Sequence, residues 1–100
     1  MKLYILSVSY TKPFSVVETH FPAHVEWLQE RYRSGMILAF AKKVPLTGGI
    51  VIAAATDLET LRGEIEKDPF VIGAVAAYDI TEIEPTRINP RLLDFAQDRD

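Results

Sequence analysis

Apolar positions along the chain fall into blocks whose spacing alternates between strand-like and helical. Residues 2–9 (KLYILSVS) are rich in Leu, Tyr, Ile and Val and predict a buried first strand. Thr11-Lys12-Pro13 breaks it, and Ser15-Val16-Val17-Glu18 has the S-x-x-E spacing of a capping box. Val17, Phe21, His24, Leu28 and Tyr32 then recur at helical spacing, with Gly35 placed to close the helix in a left-handed conformation. Pro22 inside this segment removes a backbone hydrogen bond, which predicts a kink or a late start. MILAFA predicts a second strand, KKVPLTGG a loop and GIVIAAA a third strand. A second capping box, Thr56-Asp57-Leu58-Glu59, opens a helix expected to run to about Lys67, where Asp68-Pro69 stops it because a residue before proline avoids the helical region. GAVAAYDITEIE is the fourth strand.

The resulting order, β-α-β-β-α-β, is the α+β ferredoxin-like arrangement: a four-stranded antiparallel sheet with both helices on one face. The uncovered face should then be polar, and it is not. Leu3 and Ile5 point one way while Tyr4, Leu6 and Val8 point the other, and IVIAAA is apolar on both sides. A sheet apolar on both faces needs a second cover, and the same sheet of a second subunit supplies one by two-fold symmetry. The pattern therefore predicts a homodimer through sheet faces, a dimeric α+β barrel, and leaves higher oligomers open. The alternative is a monomer whose C-terminal tail folds back over the open face. Residues 1–86 form the predicted domain. Residues 87–100, polar and proline-punctuated, form a tail that could contact a partner subunit.

Composition narrows the function. With 48% hydrophobic and 25% charged residues the chain has the make-up of a soluble globular domain. A net charge of -3, with few and scattered basic residues, argues against nucleic acid, which requires a basic face. Without cysteine there is neither a disulfide framework nor a thiolate nucleophile, which is compatible with a reducing cytoplasm. The N-terminal MKLYILSVSY reads as a strand rather than a leader, and no stretch reaches the length of a membrane span.

PAHVEWL, TGGIVI, DPFVIGAVAAYDITEIEP and the glycine closing the first helix together resemble the YCII-related domain family, in a match that runs without gaps over most of residues 2–88. The most specific part is DPF followed by small residues and Tyr-Asp-Ile. The resemblance implies a ferredoxin-like fold that dimerises sheet to sheet, and a small-molecule enzyme with a histidine at His24 and an aspartate at Asp68. Some relatives resemble muconolactone-type isomerases and a dehalogenase, which suggests proton abstraction beside a carbonyl. Where the family usually has Ser-Gly-Pro-Lys after its second strand, this chain reads Phe40-Ala41-Lys42-Lys43.

His24 is the natural general acid/base, since an imidazole exchanges protons near neutral pH. Asp68 could fix its tautomer and raise the basicity of the other ring nitrogen. The competing reading is a core histidine bonded to a backbone carbonyl. His20, one turn earlier, completes H-x-x-x-H, but without the H-E-x-x-H signature it is read as a polar wall of the pocket, and no metal is expected. Lys43, Thr47 and Gly48 could hold an anion at the loop, or simply form a solvated hairpin. Ser7 is a candidate ligand contact within an apolar strand, and Tyr78 is either a core aromatic or a phenol aimed into the pocket. Two functions remain: a cofactor-independent isomerase or lyase acting through His24 and Asp68 on a small organic acid, lactone or similar carbonyl compound, and a non-catalytic ligand-binding or accessory module.

Overall fold

A computed structural model of the protein describes residues 1–96. Its four strands are β1 (Lys2–Tyr10), β2 (Ile37–Lys42), β3 (Gly48–Ala55) and β4 (Ala76–Ile83), arranged in the order β2-β3-β1-β4 with every neighbouring pair antiparallel. The helices are α1 (Phe14–Val17), α2 (Phe21–Ser34), α3 (Leu58–Ile65) and α4 (Pro69–Ile72), followed by a 3₁₀ segment at Pro90–Phe95. This is the expected ferredoxin-like order, with β1 and β3 central.

Alternation along β1 identifies the covered face. Tyr4, Leu6 and Val8 are buried, while Leu3, Ile5 and Ser7 are half-buried on the opposite side. In β3 the same split puts Val51, Ala53 and Ala55 under the helices and Ile50, Ile52 and Ala54 on the open face. Trp27 and Leu28 from α2 and Leu61 and Ile65 from α3 complete the main core. A second cluster of Val17, Phe70 and Val75 fills the end near α1 and α4.

Several local expectations shift. Ser15 does not cap: α1 starts after Pro13 without a side-chain cap, passes into a 3₁₀ turn at Glu18–His20, and α2 begins only at Phe21. Pro22 thus sits in the first turn, where its missing N–H costs no hydrogen bond. Trp27 takes the buried place on α2 that spacing assigned to Tyr32, which is 48% exposed. Gly35 closes α2 at φ 87°, as a left-handed cap requires. The cap of α3 is Asp57 rather than Thr56: its carboxylate accepts the Thr60 N–H at 2.7 Å, and this hydrogen bond holds its carboxyl below the usual carboxylate range. That helix ends at Ile65, two residues earlier than expected. Asp68-Pro69 does more than stop it, because these residues open the extra helix α4.

The tail does not bury its apolar side chains. Ile88, Leu92, Leu93 and Phe95 remain exposed, so its described part does not act as the fold-back cover of a monomer. Residues 97–100 of the predicted tail lie outside the described residues. No described helix is long and apolar enough to cross a membrane.

Candidate active site

The sequence Asp68-Pro69-Phe70 builds the centre of the site. Proline forces Asp68 into an extended conformation (φ −66°, ψ 126°) and takes the first helical position of α4. From there the Asp68 side chain turns back as the N-cap, its Oδ1 accepting the Phe70 N–H at 3.0 Å. The same Oδ1 lies 2.7 Å from His24 Nδ1, although the two residues are 44 apart in sequence. Oδ2 accepts the Tyr78 hydroxyl at 2.5 Å. Asp68 is fully buried, so its two oxygens meet three donors in place of water, as a buried charge requires.

His24 is fixed by more than this contact. Its ring stacks on Phe70 with centroids 3.6 Å apart and planes 2° from parallel. Trp27, one turn along α2, lies 6.4 Å away at 21°. With an ionised carboxylate, which can only accept, and a neutral imidazole, this contact makes Nδ1 the donor and leaves the lone pair on Nε2. Nε2 makes no hydrogen bond within the described chain, and the side chain keeps 11% of its surface exposed. An oriented imidazole with its free nitrogen on the outer side is the arrangement of a general base.

Tyr78 arrives from β4. Register pairs it with Val8, which faces the helices, so its ring lies on the covered side. Burial, then the charge and hydrogen bond of Asp68, push its phenol far above its ordinary range, which keeps it a donor. Phe70 also joins an aromatic wall with Tyr10 (5.9 Å between centroids) and Phe21 (5.6 Å), and Phe14 packs on Phe21 at the outer end.

The remaining candidates divide by position. His20 precedes α2 and its ring lies against Gly73, where a Cβ would sit 2.6 Å from Cε1. It flanks the segment that carries Asp68, and the described residues hold no cluster of three or more metal-ligating side chains. Ser7 lies on the open face, opposite Ile50 and Asp79. Lys43 reaches the same face through its hydrogen bond to Ser9 (3.2 Å). Thr47 lies in the β2–β3 connection and Gly48 opens β3: the Thr47 carbonyl accepts from Tyr10 N, and a side chain at Gly48 would run into the Val8 carbonyl. His24, Asp68 and Tyr78 therefore come together, whereas Ser7 and Lys43 stand across the sheet from them. Phe40, at the Gly-Pro departure, packs edge-on against Tyr32 at 6.2 Å. A cavity of about 520 Å³ between α2, α3 and the end of β3 does not include His24.

Phe70 is the contributor that sequence reasoning missed, although its signal was visible: the residue two after an Asp-Pro cap is the one whose amide the cap receives.

A model of the YCII-related domain matches residues 1–84. The chain belongs to the YCII-related domain family. Among solved structures it is similar to 5-chloro-2-hydroxyhydroquinone dehydrochlorinase from Burkholderia phenoliruptrix AC1100, in complex with 2,5-dihydroxybenzoquinone. The TM-score is 0.69 at 17% identity, covering 82% of this chain and 93% of that one, a likeness of fold. No curated protein sequence matches the chain.

Proposed function

We propose that this YCII-related protein is a small homodimeric enzyme that moves a proton on a small organic acid, lactone or similar carbonyl compound, with His24 as general base and acid. The observation that carries the reading is the 2.7 Å contact of His24 Nδ1 with the fully buried Asp68, which directs Nε2 outward. Nε2 takes a proton from a carbon beside the carbonyl and returns it at another position or to a leaving group, as in an isomerase or lyase. The Asp68 carboxylate stabilises the imidazolium formed in between. No cofactor is needed for such a transfer. The aromatic wall of Phe70, Phe21 and Tyr10 suits a flat, ring-shaped substrate, and a structural relative was solved with a dihydroxybenzoquinone.

The half-buried apolar residues Leu3, Ile5, Ile50 and Ile52 support dimerisation through the open face, since they form a contiguous apolar surface on the two central strands.

Deuterium exchange tests the chemistry independently of the overall reaction. Lactones and hydroxyquinones incubated with the protein in heavy water should exchange the C–H beside their carbonyl. His24→Ala should lower that rate by about 100-fold or more. The replacement of Gly-Pro by Ala41-Lys42, with Phe40 packed on Tyr32, favours a second reading, a ligand-binding module. Binding of the same compounds without exchange would select it.

A further inference from the structure

We propose that Tyr78 is a positioning residue of the His24–Asp68 pair: its hydroxyl holds the carboxylate in the orientation that faces His24 and draws off part of its charge. The catalytic meaning of this role rests on the proton-transfer reading above; the electrostatic role does not.

Oδ1 of Asp68 is shared by Phe70 N–H and His24 Nδ1, and Oδ2 receives only the Tyr78 hydroxyl. Without that donor, Oδ2 would keep bare lone pairs in a fully buried place, and the carboxylate would lose the contact that opposes its rotation. Ala76 and Ile80 share the helix-facing side of β4 with Tyr78, and neither offers a donor in exchange.

Other titratable groups near the pair are engaged elsewhere or point away. From α2's start, His20 packs on Gly73, and from β1, Tyr10 packs edge-on to Phe70. Lys67, beside Asp68 in the chain, pairs with Glu64 at 3.6 Å, and Arg31 of α2 pairs with the same carboxylate at 3.1 Å. On β4, Asp79 faces the open side, and Glu82 approaches Lys2 at 4.0 Å. Among the described residues, the charge that acts on the Tyr78 hydroxyl is that of Asp68.

The sign follows from charge. A hydrogen bond to the carboxylate is stronger when His24 is neutral, because the imidazolium would compete for the same negative charge. The Tyr78 donor thus favours the deprotonated pair, and losing it favours the protonated one.

The test is a pH titration of the His24 ring by NMR without substrate, assigned in a His20→Asn background. In Tyr78→Phe the midpoint should rise by about half to one pH unit. A midpoint that stays or falls would overturn the proposal and leave Tyr78 a core aromatic. If Tyr78→Phe fails to fold, incorporation of 3-fluorotyrosine gives the second arm: the more acidic phenol donates more strongly, so the His24 midpoint should fall. An unmoved midpoint there also overturns the proposal. Neither arm uses turnover, so failure to find a substrate would count against the enzyme reading alone.

Discussion

The two faces of the sheet are both apolar, but they treat polar groups differently. On the helix face, Asp68 is withdrawn entirely from water and gathers an amide, an imidazole and a phenol around two oxygens. On the open face, Lys43 donates to Ser9 at a solvent-exposed hydrogen bond, and Asp79 lies opposite Ser7. A charge in water is satisfied in any orientation, so its neighbours are free to vary their geometry. A buried charge must be met by fixed donors, and those donors in turn orient each other. This is why the His24–Asp68–Tyr78 arrangement, to which we assign proton transfer, lies under the helices, while the open face offers the apolar area that the proposed second copy would cover.

Matched substitutions on one strand give the sharpest contrast. Leu6→Asp places a carboxylate in the core and should leave the chain unfolded, a loss above roughly 4 kcal/mol visible by circular dichroism. Ile5→Asp, one residue away but on the other face, should leave the monomer folded and reduce its mass by light scattering from dimer to monomer. Equal unfolding by both would erase the distinction between the faces.

Asp68→Ala comes next. It strands Phe70 N–H, the Tyr78 hydroxyl and His24 Nδ1 together, at a cost of about 3–5 kcal/mol in a denaturant titration. Tyr78 contributes a smaller, pH-dependent effect. Its phenol is raised above the ordinary 10.0, so the stability it confers is fully present below that pH and is lost as pH rises further, when the unfolded chain ionises and the folded one does not. The loss should steepen by about 1.4 kcal/mol per pH unit, and Tyr78→Phe should flatten it. Asp57→Ala should act least. The Asp57 carboxyl is lowered, so its cap stabilises above the ordinary carboxylate range and weakens as pH falls through it. Its effect on melting temperature should be larger at neutral pH than in acid.

The strands and the long helices were legible because their periods are strong, and the glycine cap at Gly35 because φ 87° suits little else. Boundaries were less so: tertiary packing overrode Ser15 as a cap, and Asp57 displaced Thr56 by one residue. Which face of β1 meets the helices could not be read where both are apolar. That is why Ser7 stands among the candidates in the sequence although it lies across the sheet from His24, as does Lys43, a candidate from its loop. The pairing of His24 with Asp68 came from family resemblance and a shared sheet face. The third member needed the β1–β4 register, which no local pattern carries, to bring Tyr78 opposite Val8.

In the proposed mechanism Asp68 orients His24 so that Nε2 is the working nitrogen. Long-range ¹⁵N NMR of the two rings at neutral pH, in the native protein and in Asp68→Asn, tests it most directly. His24 should carry its proton on Nδ1 with a bare Nε2, and Asp68→Asn should shift it toward a mixture of tautomers. A His24 protonated on Nε2, or a spectrum indifferent to Asp68→Asn, would contradict it.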